Sequence, residues 1–341
     1  MTAASFLHFP VVLFRKMRYT KGGIVPERWK GMEEILFRAA AYLCMIALGA
    51  VLKRVRVLGQ DDFHTLSKVM LNITLPCAIV YNVARVDLEI SLLAVTAFSV
   101  GIGVGMVFLG AGLARLFGKK DEMAFDAVNF SGFNIGNFCM PFVQSFLPSI
   151  GVLAISLFDT GNSLICNGGS RAVGAVIQQR QRGGKADLPA SLRTIGRTLL
   201  HSTPFMTYMV MLAVAILHVP VPAPVLSIAN LGAQANPFVA MLMIGVGFKL
   251  SLSGEGLSHA VRLLVIRYAL AGLLAAGVYC LLPFALEVRQ ALVLAVLSPI
   301  ASANPPYTAA LGEDYPLSCT VNSISMLLSI ALLTGALLVM L

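Results

Sequence analysis

The side chains in this chain best suited to chemistry are amides set beside prolines. Asn134 and Asn137 precede Pro141 in "FNIGNFCMPF", and Asn304 precedes Pro305 and Pro306 in "SANPPYTAALG". Both stretches are apolar enough to lie in a lipid bilayer. Proline removes a backbone donor and clashes with the preceding turn, so a helix unwinds there. In hydrocarbon the freed N–H and C=O groups are costly unless protein or enclosed water satisfies them. An asparagine amide offers both a donor and an acceptor, so it can serve the freed backbone or a ligand. Half-helix N-termini aimed at one spot would add partial positive charge, which suits a carboxylate or another anion. Ser131, Ser302, Phe142 and Tyr307 flank the same stretches and are secondary candidates. The competing reading is two ordinary proline kinks in packed helices.

One carboxylate stands out. Asp159 lies about ten residues into an apolar segment, near mid-membrane at about 1.5 Å of rise per residue. An intramembrane carboxylate is expensive and therefore a functional hypothesis, here proton coupling or organisation of the site. The alternative is a structural aspartate tied to Asn162 or Thr160. Asp126 reads as an interfacial or helix-start residue, and Arg267 as snorkelling toward the cytoplasm rather than countering a substrate charge.

Other chemistries find little footing. The five histidines show no HExxH or metal spacing, and the six cysteines lie singly inside apolar segments, as small buried residues do. No metal, cofactor or disulfide is expected. "GIGVGMVFLGAGLARLFG" mimics a dinucleotide fingerprint, but it is an apolar span with no preceding strand, so small-residue helix packing explains it better. The sequence has no P-loop for ATP, no nucleophile–base pair for an intramembrane enzyme and no polar stretch large enough for a receptor's soluble output domain.

The elements that must position these residues are membrane helices. Of the 341 residues 57% are hydrophobic and 12% charged, against about 25% charged in a soluble domain. Segments of about 20 apolar residues, the length that spans a bilayer, run at 34–55, 63–84, 90–117, 122–147, 149–175, 199–218, 222–248, 258–283, 287–311 and 316–341. The net charge of +9 invites a nucleic-acid partner, but position argues otherwise. Lys53, Arg54, Arg56, Lys119, Lys120, Arg180, Arg182, Lys185, Arg193, Arg197 and Lys249 fall at or in alternate connections, while the opposite ones carry Arg85 and Arg289. That asymmetry reports topology and places both ends of the ten-helix unit outside.

Internal repetition is the strongest organisational signal. Pro237 in the seventh segment follows Pro76 in the second by 161 residues, and Pro306 in the ninth follows Pro141 in the fourth by 165. The near-constant offset predicts five segments plus five, residues 34–178 and 199–341, joined by a basic cytoplasmic linker over 179–198. An odd number per half inverts the second copy, the design in which paired interrupted helices mark a transporter's binding site. The predicted fold is all-α and integral to the membrane, ten helices in two inverted repeats with broken, crossing helices 4 and 9. Residues 1–33 form an extension, either an interfacial arm or a stretch ahead of a real start at Met32.

Several stretches resemble the auxin efflux carrier family. "GAVLKRVRVLGQDDFHTLSKVMLNITLPCAIVYNVA" is similar to its first two helices, "NFSGFNIGNFCMP" to its fourth, "FDTGNSLICN" to its fifth and "LSPIASANPPYTAALGEDYPLSCTVNSISMLLS" to its ninth and tenth. Cys139 stands where glycine is usual, and the double proline is a departure. The resemblance covers about residues 34–341. It implies an inverted-repeat fold like that of the PIN-FORMED carriers and, more distantly, the bile-acid sodium symporters. Helices 1, 2, 6 and 7 would form a scaffold, often dimeric. Helices 3–5 and 8–10 would form a moving transport domain holding a small organic anion, without sodium or ATP. On this reading Asn134, Asn137, Asn304, Ser131, Ser302 and Tyr307 contact substrate, Pro141, Pro305 and Pro306 shape the breaks, and Asp159 couples. The partners are the bilayer, the anion and a second copy in a homodimer of the inner membrane. A sodium-coupled symporter of the bile-acid type is the runner-up, and it would need clustered acidic or carbonyl ligands near the crossing.

Overall fold

Helices account for all the regular structure in the described residues of this computed structural model, which are 27–86, 90–183, 188–248 and 254–341. Most of the N-terminal extension, together with Lys185 and Lys249, lies outside them. α1 (Glu27–Arg54) leads into α2 (Gln60–Val69) and α3 (Leu75–Val83), which are joined by a widened π-turn over Met70–Thr74. α4 (Leu93–Leu116) is followed by a short α5 (Met123–Asn129), non-helical backbone, a π-turn at Ile135–Cys139 and a short α6 (Met140–Phe146). α7 (Ser149–Leu164) continues through a third π-turn, Ile165–Gly169, into α8 (Ser170–Gln181). Then come α9 (Leu188–Leu200), α10 (Thr203–Ile216), α11 (Ala223–Gly247) and α12 (Gly254–Leu281). α13 (Leu286–Val296) and α14 (Asn304–Ala310) are separated by seven non-helical residues, and α15 (Tyr315–Met340) closes the chain.

Seven helical runs are long and apolar enough to cross a membrane: 36–54, 62–83, 93–116, 149–181, 223–247, 256–281 and 315–340. α10 is apolar but shorter. The remaining two expected segments are the interrupted ones, α5–α6 and α13–α14. Their halves are seven to eleven residues long, too short to cross alone. α11 keeps its helix through Pro237, while Pro76 enters α3 directly after the π-turn. The stretch expected as a polar linker holds α9, whose Ile195 is buried while Leu192 and Leu200 face outward.

The helices sort into two packing groups. α1, α2, α3, α10 and α11 pack chiefly on one another, and α4 to α8 with α12 to α15 do the same. Glycine sets the closeness of the first group. A Cβ on Gly245 would lie 2.0 Å from the Ile46 carbonyl oxygen, and one on Gly49 would lie 2.4 Å from that of Leu242, so α1 and α11 meet backbone to backbone. In the second group α7 is the most enclosed run, with 72% of its apolar window buried against 33% or less for most others. Phe108, Leu273 and Ile228 point outward on other helices, as lipid-facing side chains would. The helix that carries Asp159 is thus the one most surrounded by protein.

Candidate functional site

Two interrupted segments meet at their breaks. In the first, Phe130 and Gly132 aim their carbonyls at Arg267 of α12, whose Nη1 donates to Phe130 O and Nη2 to Gly132 O at 2.8 Å. The Ser131 carbonyl between them accepts from Asn304 Nδ2 at 2.9 Å. The Phe133 N–H donates to Asn162 Oδ1 at 3.0 Å, and Asn162 Nδ2 returns a bond to Phe133 O at 2.8 Å. In the second break, Ser329 holds the Leu297 carbonyl at 2.9 Å, Asn322 holds that of Ala301 at 3.1 Å, and the Ile300 N–H donates to Ser325 Oγ at 3.3 Å. The two join directly where the Asn134 N–H donates to Pro299 O at 2.9 Å. Backbone that an apolar setting would leave stranded is therefore satisfied on both sides, which is what such depth demands.

The side chains left over are informative. Asn137 Nδ2 donates to Ser302 Oγ at 3.1 Å across the junction. Asn134 Nδ2, Asn137 Oδ1 and Asn304 Oδ1 are buried with no hydrogen-bond partner. A buried amide atom left unmatched costs about 1–3 kcal/mol, so three around one junction point to something that binds there. Turning the Asn137 amide, so that the Ser302 hydroxyl donates to Oδ1, would present a second NH2 group beside that of Asn134.

Two cavities adjoin the junction. One of about 180 Å³ is lined by Leu71, Asn134, Gly136, Asn137, Asp159 and Cys166. All three π-turns contribute to it, in keeping with the habit of such turns to occur at functional sites. The other, of about 200 Å³, also touches Asn134, Asn137 and Ser302 and adds Pro305, Pro306 and His64. A larger recess of about 550 Å³ shares Leu71, Asn167, Ser202 and Pro204 with the first cavity and carries Lys68, Arg197 and His201.

Not every expected residue reaches these spaces. Pro141 is buried at the start of α6, and its carbonyl accepts from Tyr42 at 3.0 Å. Phe142 packs edge-on against Tyr42 at 5.0 Å. Ser131 bonds back to Val128 O at 3.0 Å, and Tyr307 donates to Cys166 O at 2.8 Å. These four brace the breaks from outside the cavities. Asp159 lines the first cavity, and both its oxygens are engaged, Oδ1 by Asn162 Nδ2 at 3.0 Å and Oδ2 by the Tyr208 hydroxyl at 2.8 Å. Tyr208 belongs to α10, so this bond ties the two packing groups together.

Compared with known proteins, the chain matches no family model and no curated protein. The resemblance to the auxin efflux carriers rests on its motifs, and the site on its own geometry.

Of two further charged residues, Asp126 sits in the first turn of α5, as a helix-start residue does, whereas Arg267 lies elsewhere than expected. Arg267 is 1% exposed and grips the first break, because its length lets it reach the loop from α12 instead of turning outward. Asp126 is buried beside His259 (2.5 Å) and joins Glu122 and Arg262 at the junction of α5 and α12. Glu122, Asp126 and His259 have metal-ligand atoms within 4.8 Å of one another, but Arg262 already supplies the cation between the two carboxylates. Asn162 is the partner the sequence offered for Asp159, and that bond is present at 3.0 Å; Tyr208 carried no signal as an isolated polar residue, since its role depends on the carboxylate it faces.

Proposed function

We propose that this protein is a secondary membrane carrier of a small organic anion, of the auxin efflux carrier type, binding its substrate where the two broken helices cross. The observation that carries this reading is the pair of unpartnered amides on Asn134 and Asn137, which line both cavities; Asn304 lines neither, and its Nδ2 is held by the Ser131 carbonyl. The Asn134 NH2, with that of Asn137 turned toward the ligand, offers donors to a carboxylate in a space from which bulk water is largely excluded. Two cavities share Asn134, Asn137 and Ser302. Both lead toward the basic connections, one past Lys53 and the other by way of the recess that carries Arg197, so a ligand would reach the junction from the cytoplasmic side.

On this reading α5–α6 and α13–α14 are helices 4 and 9 of a ten-helix unit built from two inverted repeats, residues 34–178 and 199–341. The group of α1–α3, α10 and α11 is the scaffold and homodimer surface, and the other group moves against it as an elevator in the inner membrane, with both ends outward. No covalent step is involved, so the protein is not an enzyme. A sodium-coupled symporter is the weaker reading, because the carbonyls of Phe130 and Gly132 that would ligate a cation are taken by Arg267. Thermal-shift measurements with mono- and dicarboxylates, indole acids and amino acids, each with and without sodium, test the proposal. Stabilisation by carboxylates, independent of sodium, is expected. Response to neutral ligands alone would sink it.

A further inference from the structure

Arg267 is fully buried, yet no carboxylate pairs with it among the described residues; the ion pairs there involve His259 and Arg262 with Glu122 and Asp126. Its guanidinium rests on the carbonyls of Phe130 and Gly132 and lies 5.1 Å from the centre of the Phe133 ring. Asp159 reaches the same residue from the other side, through Asn162 and the Phe133 N–H and C=O. One fixed positive charge and one ionisable carboxylate thus bracket the loop that bears Asn134.

We infer that Arg267 is the built-in counter-charge of the site, and that each singly charged anion is bound together with one proton on Asp159. The inference rests on the anion-carrier reading and adds its charge and coupling. A net charge in low dielectric is far costlier than a neutral arrangement. Arginine keeps its proton in proteins, so its charge can be balanced in two ways. Either Asp159 is ionised, or an anion is present and Asp159 is neutral. An anion beside an ionised Asp159 leaves one uncompensated negative charge, and a dianion leaves one even with Asp159 neutral. The site therefore selects monoanions.

The contacts allow both forms. In the structure each Asp159 oxygen accepts a hydrogen bond, as an ionised carboxylate does. When Asp159 takes a proton on Oδ2, the Tyr208 hydroxyl can rotate to accept it. The other titratable groups facing Asp159 are Tyr208 from α10, Cys139 from the second π-turn and Cys166 from the third; Tyr268 and Cys166 face Arg267. Thiols and phenols hold their protons below about pH 8. Lys68, Arg197 and His201 line the outer recess rather than the junction, whereas Lys53, which donates to the Phe248 carbonyl, and His64 line the second cavity.

The test uses the full chain in nanodiscs, with indole-3-acetate as the monoanion and malonate as the dianion. Calorimetry in buffers of different ionisation enthalpy reads the protons taken up per anion bound. Uptake of about one proton with indole-3-acetate is expected in the wild type, none in Asp159→Asn, and weaker binding of malonate. Arg267→Gln should bind about 30-fold more weakly or worse, as when one charge of a desolvated pair is removed, while Arg267→Lys keeps most of the affinity. Binding of indole-3-acetate without proton uptake in the wild type, or uptake persisting in Asp159→Asn, overturns the inference and leaves the anion site standing. Failure of folded wild type to bind either carboxylate overturns the anion site and the inference with it.

Discussion

At the first break the freed carbonyls of Phe130 and Gly132 are held by a guanidinium, whereas at the second those of Leu297 and Ala301 are held by a hydroxyl and an amide of α15. The supporting layout is otherwise parallel. Each break is followed in sequence by a long helix that sends an asparagine back to it, Asn162 to Phe133 and Asn322 to Ala301. Three residues before that asparagine stands Asp159 in one half and Cys319 in the other. The same architectural problem is thus solved once with charges and once with neutral groups. The lesson is a division of labour in which the first break is served by groups that can respond to ions and protons, Arg267 of α12 and Asp159 of α7, and the second by a neutral wall.

Substitutions at paired positions probe that difference. Asn162→Leu removes bonds to the Phe133 N–H, the Phe133 carbonyl and Asp159, and should destabilise by about 3 kcal/mol or more at about 1–3 kcal/mol per orphaned group. Asn322→Leu removes one bond to Ala301 and should cost about 1–2 kcal/mol on the same scale. Thermal unfolding in one detergent compares them, and equal losses would erase the asymmetry. Ser329→Ala, which frees the Leu297 carbonyl and removes one partner of a Tyr268 hydroxyl still held by the Ser325 carbonyl, should cost about 1 kcal/mol.

The subtlest contrast concerns pH. Asp159→Asn preserves shape and one acceptor while removing the group that takes up the proton. Anion binding measured across pH 5 to 8 (about the range in which a buried carboxylate can titrate) should become flat. Cys319→Ser, at the matching place in the other half, should leave the profile as it is. A profile altered equally by both would dissolve the distinction between the breaks.

Much of this architecture is legible in the sequence because prolines and apolar length are local signals. Pro141 and Pro305–Pro306 announced the two interruptions, and the asparagines beside them do lie at the junction. The pairing of Asn162 with Asp159 was legible because the two lie one helical turn apart, but the grip of Tyr208 and Arg267 was not, since hydrogen bonds between distant segments leave no periodic trace. Arg267 looks like a snorkelling side chain when only its distance from a helix end is counted; its burial follows from the Phe130–Gly132 loop it reaches. Ser131 and Tyr307 illustrate the reverse error of proximity, for being near a break in sequence does not turn a side chain into the cavity. The α9 helix escaped notice because its basic residues outweigh a short apolar stripe.

The central claim is that Asn134 and Asn137 hold one anion at the meeting of the two breaks. The most direct measurement is the affinity of indole-3-acetate for the wild type, Asn134→Ala, Asn137→Ala and the double variant, each confirmed folded by its unfolding temperature. Each single change removes one donor and should weaken binding by about 1–3 kcal/mol, roughly 5- to 150-fold. Because both amides would serve one ligand, the double variant should depart from the sum of the singles by at least about 0.5 kcal/mol. Wild-type affinity in both single variants would contradict the account and return the breaks to being proline kinks.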